Sequence, residues 1–164
     1  MARNAEYWIE KLKLQKHPEG GHFMEIYRSE EKIYREHLPQ RFSGNRNFCT
    51  SIYYLLREKE YSKFHRIKSD ELWHFYDGGC MLIYEINSKG NLKVHKLGLQ
   101  IENDESPVII IKAGNWFAAK PEHDYCLAGC TVSPGFDFND FEIADKTELT
   151  KKFSKHEKII KELT

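Results

Sequence analysis

The sequence carries no excess charge of either sign, because its 164 residues include 25 Lys and Arg and 25 Asp and Glu. A chain without net positive charge lacks the bulk attraction for nucleic acid or anionic membranes, and we expect neither partner. It also lacks any apolar run near the roughly 20 residues that a membrane-spanning helix needs. The first residues lack the apolar core of a secretory signal, so we expect a cytoplasmic protein.

Proline and glycine are scarce, with 5 and 10 residues, which excludes collagen-like and low-complexity chains. The four cysteines, Cys49, Cys80, Cys126 and Cys130, follow no zinc-binding or redox spacing, and we expect free, buried thiols. Aromatic residues are more plentiful, at 13% of the chain, which excludes disorder and favours a β-rich core.

Short stretches of β-forming residues, separated by turn residues, follow one another along most of the chain and indicate a sandwich or a closed barrel. We predict a single all-β domain, with a helix at residues 4–15, a barrel at about 22–144 and a helical tail at 146–164. The predicted extended segments are 22–28, 50–56, 64–67, 71–76, 81–86, 92–97, 108–111, 116–119, 125–132 and 136–144. Residues 30–47 are polar and predict a long loop, either a lid or a contact to a second subunit.

Two residues with chemical potential flank one predicted turn. His65 ends a strand and Glu71 begins the next, so a hairpin there would place the imidazole beside the carboxylate. Alternation along the second strand then sends Glu71, Trp73 and Phe75 to one face. By the same rule Glu25 and Arg28 fall on opposite faces of their strand, and both can enter one pocket only if a twist or bulge intervenes.

The spacing of His65, Glu71 and Gly78 resembles the first cupin motif, which is His, any residue, His, three residues, Glu, six residues and Gly. Ile67 stands at the position of the second histidine of that motif. Phe117 stands at the position of the histidine in the second cupin motif, of which only the glycine survives.

Further segments, taken together over residues 8–145, resemble the Cupin_5 family. They are residues 17–21 (HPEGG) with the strand that follows, 50–56 (TSIYYLL), 70–73 (DELW), 113–119 (AGNWFAA) and 129–138 (GCTVSPGFDF). The resemblance implies a double-stranded β-helix, the RmlC-like jelly roll, usually as a homodimer and similar in shape to the dTDP-sugar epimerases. It implies no established reaction.

A typical cupin binds its metal through three histidines and one glutamate, and the resemblance leaves only His65 and Glu71 of that set. Two protein ligands hold a divalent ion poorly, so we expect no cofactor. If a metal is present, these two residues are the expected ligands.

Without a metal, the residues indicate proton transfer beside a carbonyl group, as in sugar epimerisation or isomerisation. We expect His65 to act as the base, Glu71 to orient it and Tyr53 to act as the acid, on a small ligand such as a sugar or nucleotide sugar. The expected ligand contacts are Trp73, Phe75, Phe117, Ser51, Arg28 and Glu25. Two alternatives stand beside this hypothesis: a non-catalytic small-ligand-binding protein, and a metal-dependent cupin enzyme with a reduced ligand set.

Overall fold

The computed structural model describes residues 3–164, of which strands form the largest part. Three short helices, α1 (Ala5–Lys11), α2 (Lys146–Lys152) and α3 (Glu157–Glu162), lie at the two ends of the chain. In chain order the strands are β1 (Gln15–Lys16), β2 (His22–Arg28), β3 (Lys32–Ile33), β4 (Arg46–Asn47), β5 (Thr50–Arg57), β6 (Ser62–Arg66), β7 (Asp70–Gly78), β8 (Met81–Ile86), β9 (Leu92–Leu97), β10 (Val108–Ile111), β11 (Trp116–Pro121), β12 (Tyr125–Ser133) and β13 (Glu142–Ile143).

Two antiparallel sheets pack face to face. The larger has the order β1-β2-β5-β12-β7-β10, the smaller β13-β6-β11-β8-β9, and β3 and β4 form a separate ribbon. The central core lies between the sheets and joins Trp73 and Tyr54 of the larger to Phe117 and Ile83 of the smaller. Alternate residues of each strand point to the core, which is why β-forming runs with period two indicate strands. The all-β prediction is confirmed.

The terminal helices cover the outer faces of the sheets. Helix α1 packs on the larger sheet, and its Trp8 indole donates a hydrogen bond of 2.7 Å to Asp77 on β7. The C-terminal helices bury Leu149 and Ile160 against Phe64 and Trp116 of the smaller sheet. Among residues 3–164, no helix combines the length and the apolar character needed to span a bilayer.

The predicted hairpin between His65 and Glu71 is wrong. Strand β6 belongs to the smaller sheet and β7 to the larger, so residues 67–69 cross from one sheet to the other. A short polar connection is compatible with either a hairpin or a crossing, and the alternation of each strand alone does not distinguish them.

Two other segments differ from the sequence prediction. Residues 30–47, predicted as a loop, include the β3–β4 ribbon and bury Phe42 almost completely. Residues 136–144, predicted as a continuous extended stretch, instead contain a 3-10 turn at Phe138–Asp140 before β13. We call residues 134–141 the aromatic arch, because they carry Phe136, Phe138 and Phe141 over one end of the barrel.

A buried ion pair fastens the arch to the ribbon. The guanidinium of Arg46 donates two hydrogen bonds, of 2.5 and 2.6 Å, to the two oxygens of Asp140, and both side chains are 3% exposed. A bidentate pair of this kind fixes direction as well as distance. The arch is therefore held in place by a contact between segments 94 residues apart.

We expect Asp140→Asn to lower the free energy of unfolding by about 3–5 kcal/mol, because it leaves the Arg46 charge buried without a counter-charge. The control is Glu142→Gln, which removes the exposed partner of Arg66 and should cost less than about 1 kcal/mol. Urea denaturation of both variants measures the difference. Equal losses of unfolding free energy in the two variants would show that the buried Arg46–Asp140 pair stabilises the protein no more than an exposed ion pair.

Candidate functional site

A cavity opens between the sheets at the end of the barrel below the aromatic arch. The volume inside it that is accessible to water is about 80 Å³. The polar lining residues are His17, Glu19, Glu25, Arg28, Thr50, Tyr54, His65 and Glu71, and the others are Phe23, Ile52, Ile67, Cys130, Val132, Phe136, Phe138 and Phe141. A concave site with an apolar wall and a few convergent polar groups is typical of small-molecule binding.

A glycine turn before β2 carries Glu19 into this cavity. Gly20 and Gly21 have φ values of +123° and +69°, and a Cβ on Gly20 would lie 2.1 Å from the carbonyl oxygen of Tyr61. Only glycine combines this backbone conformation with so close an approach. The backbone N–H of Lys63 donates to the Glu19 carbonyl at 2.9 Å, which fixes the turn against β6.

Glu19, and not Glu71, is the carboxylate that His65 contacts. The Nε2 atom of His65 lies 3.2 Å from Glu19 Oε2, while its Nδ1 lies 2.7 Å from the Lys63 carbonyl oxygen. A carbonyl oxygen only accepts, so Nδ1 carries a hydrogen. The contact at Nε2 is attractive only when one proton lies between Nε2 and Oε2, and the two residues therefore hold that proton jointly.

Glu19 takes part in further hydrogen bonds besides its contact with His65. The Ser62 hydroxyl donates to Glu19 Oε1 at 2.8 Å, and Glu19 is only 5% exposed. The backbone N–H of Glu19 donates to His17 Nδ1 at 3.3 Å. Burial lowers the pKa of His17, and the nearby charge of Glu19 opposes that shift only in part.

Glu71 lies in the same cavity without a basic partner. Burial, followed by the negative charge of Glu19, raises the pKa of Glu71 to about 8, although the Cys130 thiol and the Trp73 indole act in the opposite direction. At neutral pH Glu71 is therefore mostly a neutral carboxylic acid and a proton donor. The cavity thus places a neutral carboxylic acid beside the carboxyl that shares a proton with His65.

Tyr53, predicted as the acid, lies on the outer face of β5. Its ring packs edge-on against Tyr76, in the cluster that helix α1 covers. Ser51 shares this outer face, and its hydroxyl lies 3.2 Å from that of Thr131. Tyr54 is the tyrosine that faces the cavity, but its hydroxyl donates to the Gly20 carbonyl oxygen at 2.8 Å.

A bulge in β2 brings Glu25 and Arg28 to the same face. Glu25 is paired with Ile52 and Tyr27 with Ser51, so Ile26 is the extra residue between them. The bulge shifts the alternation by one, and both charged side chains reach the mouth of the cavity. Alternation along the strand shows that a twist or bulge is needed to bring Glu25 and Arg28 together, but it does not show where the bulge lies.

Three predicted ligand contacts are core residues. Trp73 and Phe117 are each 1% exposed in the central cluster, and Phe75 packs against that cluster. Phe117 reaches the site indirectly, because its ring lies 4.1 Å from the His65 ring, centroid to centroid. The ring of Phe141 also packs against the imidazole, at 5.3 Å between centroids, so two aromatic rings help to fix its position.

The donor set does not fit a metal ion. In the described part of the chain, no three His, Cys, Asp or Glu side chains are grouped to hold one. Both nitrogens of His65 already have partners, and Ile67 and Phe117 offer no ligand atom. The expectation that no cofactor is bound stays a prediction, and no chemical step below involves a metal.

Sequence reasoning missed most of the lining. Glu19 and His17 stand in the HPEGG segment, and Phe136 and Phe138 in the GFDF segment. Both segments were recognised only as family signatures. The signal that could have revealed Glu19 is an acidic residue directly before two glycines, where a tight turn can direct a carboxyl inward.

Comparison with known proteins agrees with this architecture. The family model described as Cupin superfamily (DUF985), Cupin_5, matches residues 6–144. The chain belongs to this cupin family. The assignment covers the barrel and the glycine turn that carries Glu19 and confirms the resemblance read from the sequence.

Relatives of this cupin occur in distant organisms. It is 32% identical to the uncharacterized protein YML079W of Saccharomyces cerevisiae over 143 residues, which is 80% of this chain and 71% of the yeast protein. The crystal structure of protein SO0799 from Shewanella oneidensis has a TM-score of 0.90 at 36% identity, covering 99% of this cupin and 98% of that chain. A hypothetical protein from Leishmania major has a TM-score of 0.88 at 29% identity, covering 99% of both chains.

The jelly-roll prediction is also confirmed by more distant structures. Oxalate decarboxylase from Bacillus subtilis has a TM-score of 0.55 at 15% identity, covering 91% of this cupin and 36% of that chain. At this identity the likeness concerns the fold alone.

We expect Glu71→Gln to stabilise the cupin increasingly as the pH rises. A carboxyl whose pKa is about 8 when folded and near 4.5 when unfolded stabilises the protein fully only below pH 4.5. That contribution is lost as the pH rises to 8, at about 1.4 kcal/mol per pH unit, whereas glutamine has no proton to lose. The measurement is the Tm of both proteins from pH 5 to pH 9, with Glu36→Gln, an exposed carboxylate, as control. Parallel curves for wild type and Glu71→Gln would contradict the raised pKa.

Proposed function

We propose that this cupin binds a small sugar-like molecule and transfers protons beside its carbonyl group, as an epimerase or isomerase without a metal. The observation that carries the proposal is the pair of buried carboxyls, one held ionised next to His65 and the other neutral. A buried carboxyl that stays protonated because its pKa is raised, next to one that contacts a histidine, can provide an acid and a base at the same pH.

The roles follow from the contacts. With the shared proton on His65 Nε2, the Glu19 carboxylate accepts a proton from the carbon next to the carbonyl. Glu71 gives its proton to the carbonyl oxygen, and an enol results. For the isomer, Glu19 returns its proton to the neighbouring carbon and Glu71 recovers a proton from the hydroxyl that becomes the new carbonyl. For the epimer, the enol turns over before Glu19 returns its proton to the other face of the same carbon and Glu71 recovers the enol proton. Both residues are then restored.

The proposal revises the roles expected from the sequence. His65 becomes the partner that holds the Glu19 charge, and Glu71 replaces Tyr53 as the acid. Apolar walls support a sugar ring as ligand, because Phe136 and Phe138 present aromatic faces to the C–H groups of a pyranose.

The test is exchange of solvent deuterium into uncharged aldoses and ketoses, followed by proton NMR. We expect exchange by the wild type, a rate that declines above pH 8 as Glu71 ionises, and a loss of about 100-fold or more in Glu19→Gln and Glu71→Gln. The matched control is Glu85→Gln, because Glu85 also pairs with a histidine, His95 at 2.7 Å, outside the cavity.

The alternatives give different results. Sugars that bind the wild type without any exchange would contradict catalysis and favour the non-catalytic binding protein. Near-stoichiometric metal in untagged protein, lost in His65→Ala, would favour the metal-dependent cupin with a reduced ligand set. Plasma mass spectrometry measures that metal content.

We also propose that two copies of the chain form a homodimer through the outer face of the larger sheet. Support comes from Val108 and Ile110 on β10 and Tyr76 on the neighbouring β7, apolar side chains that are 41%, 49% and 46% exposed. Strand β10 ends the strand order, and such edges are usually covered. The cytoplasm is the compartment we propose, since the four cysteines are free and three are buried.

Light scattering after size exclusion tests the dimer. We expect Ile110→Glu to give monomers, because a charge would be buried in the interface. Val94→Glu, at a valine 45% exposed on the smaller sheet, should remain dimeric. A monomeric wild type, or identical behaviour of the two variants, would contradict this interface.

A further inference from the structure

The charged groups that face the cavity are unevenly distributed. Three carboxyls line it, those of Glu19, Glu25 and Glu71, and Arg28 is the single lysine or arginine that the described lining contains. Two other cations of this region, Arg46 and Lys68, both lie against Asp140. Apart from the His65–Glu19 pair, a ligand entering the cavity therefore meets one positive charge, at the mouth.

That one positive charge is already neutralised. Arg28 Nε donates to Glu25 Oε1 at 3.0 Å and Nη2 donates to Glu25 Oε2 at 2.7 Å. Nη1 donates to Asn47 Oδ1 at 3.0 Å and to the Phe136 carbonyl oxygen at 3.1 Å. A guanidinium has five N–H groups, and four of them have acceptors within the protein. An anion could bind Arg28 in the bidentate manner only by displacing Glu25 or the arch.

We infer that Glu25 makes the cavity selective for uncharged ligands, so that it binds neutral sugar-like molecules and rejects those carrying a carboxylate or phosphate. This inference rests on the proposed function for the sugar-like ligand, whereas the charge selection rests on the Glu25–Arg28 pair itself. It narrows the ligand class, because a nucleotide sugar carries a diphosphate, and the lining among residues 3–164 offers it no lysine or arginine without a carboxylate partner.

The inner part of the cavity also favours uncharged ligands over anions. The charge of Glu19 is paired with His65 and accepts a hydrogen bond from Ser62, so this part of the lining offers no net positive charge to an anion. Glu71 carries no charge near neutral pH and adds a donor for a carbonyl or hydroxyl oxygen. Neutral oxygen-bearing groups therefore fit both the mouth and the interior.

Two pairs of isosteres test the inference, each differing only in charge: glucuronamide with glucuronate, and benzamide with benzoate. Calorimetric titration at pH 7 and low salt measures their binding to the full chain. We expect the wild type to bind an amide at least about tenfold more tightly than its carboxylate. In Glu25→Gln the charge of Arg28 is no longer cancelled, and that preference should fall at least about tenfold or reverse. The control is Glu36→Gln, which changes the net charge equally at an exposed site 76% accessible to solvent.

The outcomes separate this inference from the proposed function. Wild-type binding of a carboxylate as tight as its amide, or an unchanged preference in Glu25→Gln, would overturn charge selection. If the preference for the amide is found only between benzamide and benzoate, the inference is supported and the sugar-like ligand is contradicted. Absence of carboxylate binding to Glu25→Gln in both pairs, with the variant folded by circular dichroism, would also overturn the role of Glu25.

Discussion

The buried carboxylate of Glu19 is the charge around which the cavity is arranged. An ionised carboxyl away from water is costly unless hydrogen bonds and an opposite charge surround it. Here Ser62 and His65 supply them, and both lie on β6. The glycine turn that delivers Glu19 is fixed to the same strand through Lys63, so the position of the charge and of its partners is determined by one strand of the smaller sheet.

Much of the remaining electrostatics follows from this charge. The field of Glu19 contributes to the raised pKa of Glu71, and that shift makes a carboxylic acid available at neutral pH. The same arrangement works against folding, because a neutral Glu71 is the only form that the apolar surroundings tolerate well. Stability and proton-donating capacity are thus linked through a single side chain, as is common at sites built for chemistry.

The sequence predicted the strands better than the site, for physical reasons. Four strands, β2, β8, β9 and β10, agree with their predicted bounds, because alternation and turn residues act locally. The contact predicted for His65 depended on which strands are neighbours, and local patterns carry no such information. Glu19 meets His65, 46 residues away, and Asp140 holds the arch through Arg46, 94 residues away. Alternation along a strand cannot reveal contacts of this kind.

One inserted residue, Ile26, determines which charges the mouth of the cavity contains. Its own side chain is 44% exposed and takes no part in the site. Because strand pairing on both sides of the bulge is fixed by β5, loss of one residue there would turn part of the strand over and send either Phe23 and Glu25 or Arg28 to the outer face. Insertions and deletions in β2 are therefore a route by which relatives of this chain can change the charge at the cavity mouth abruptly, without any substitution among the residues that line the cavity.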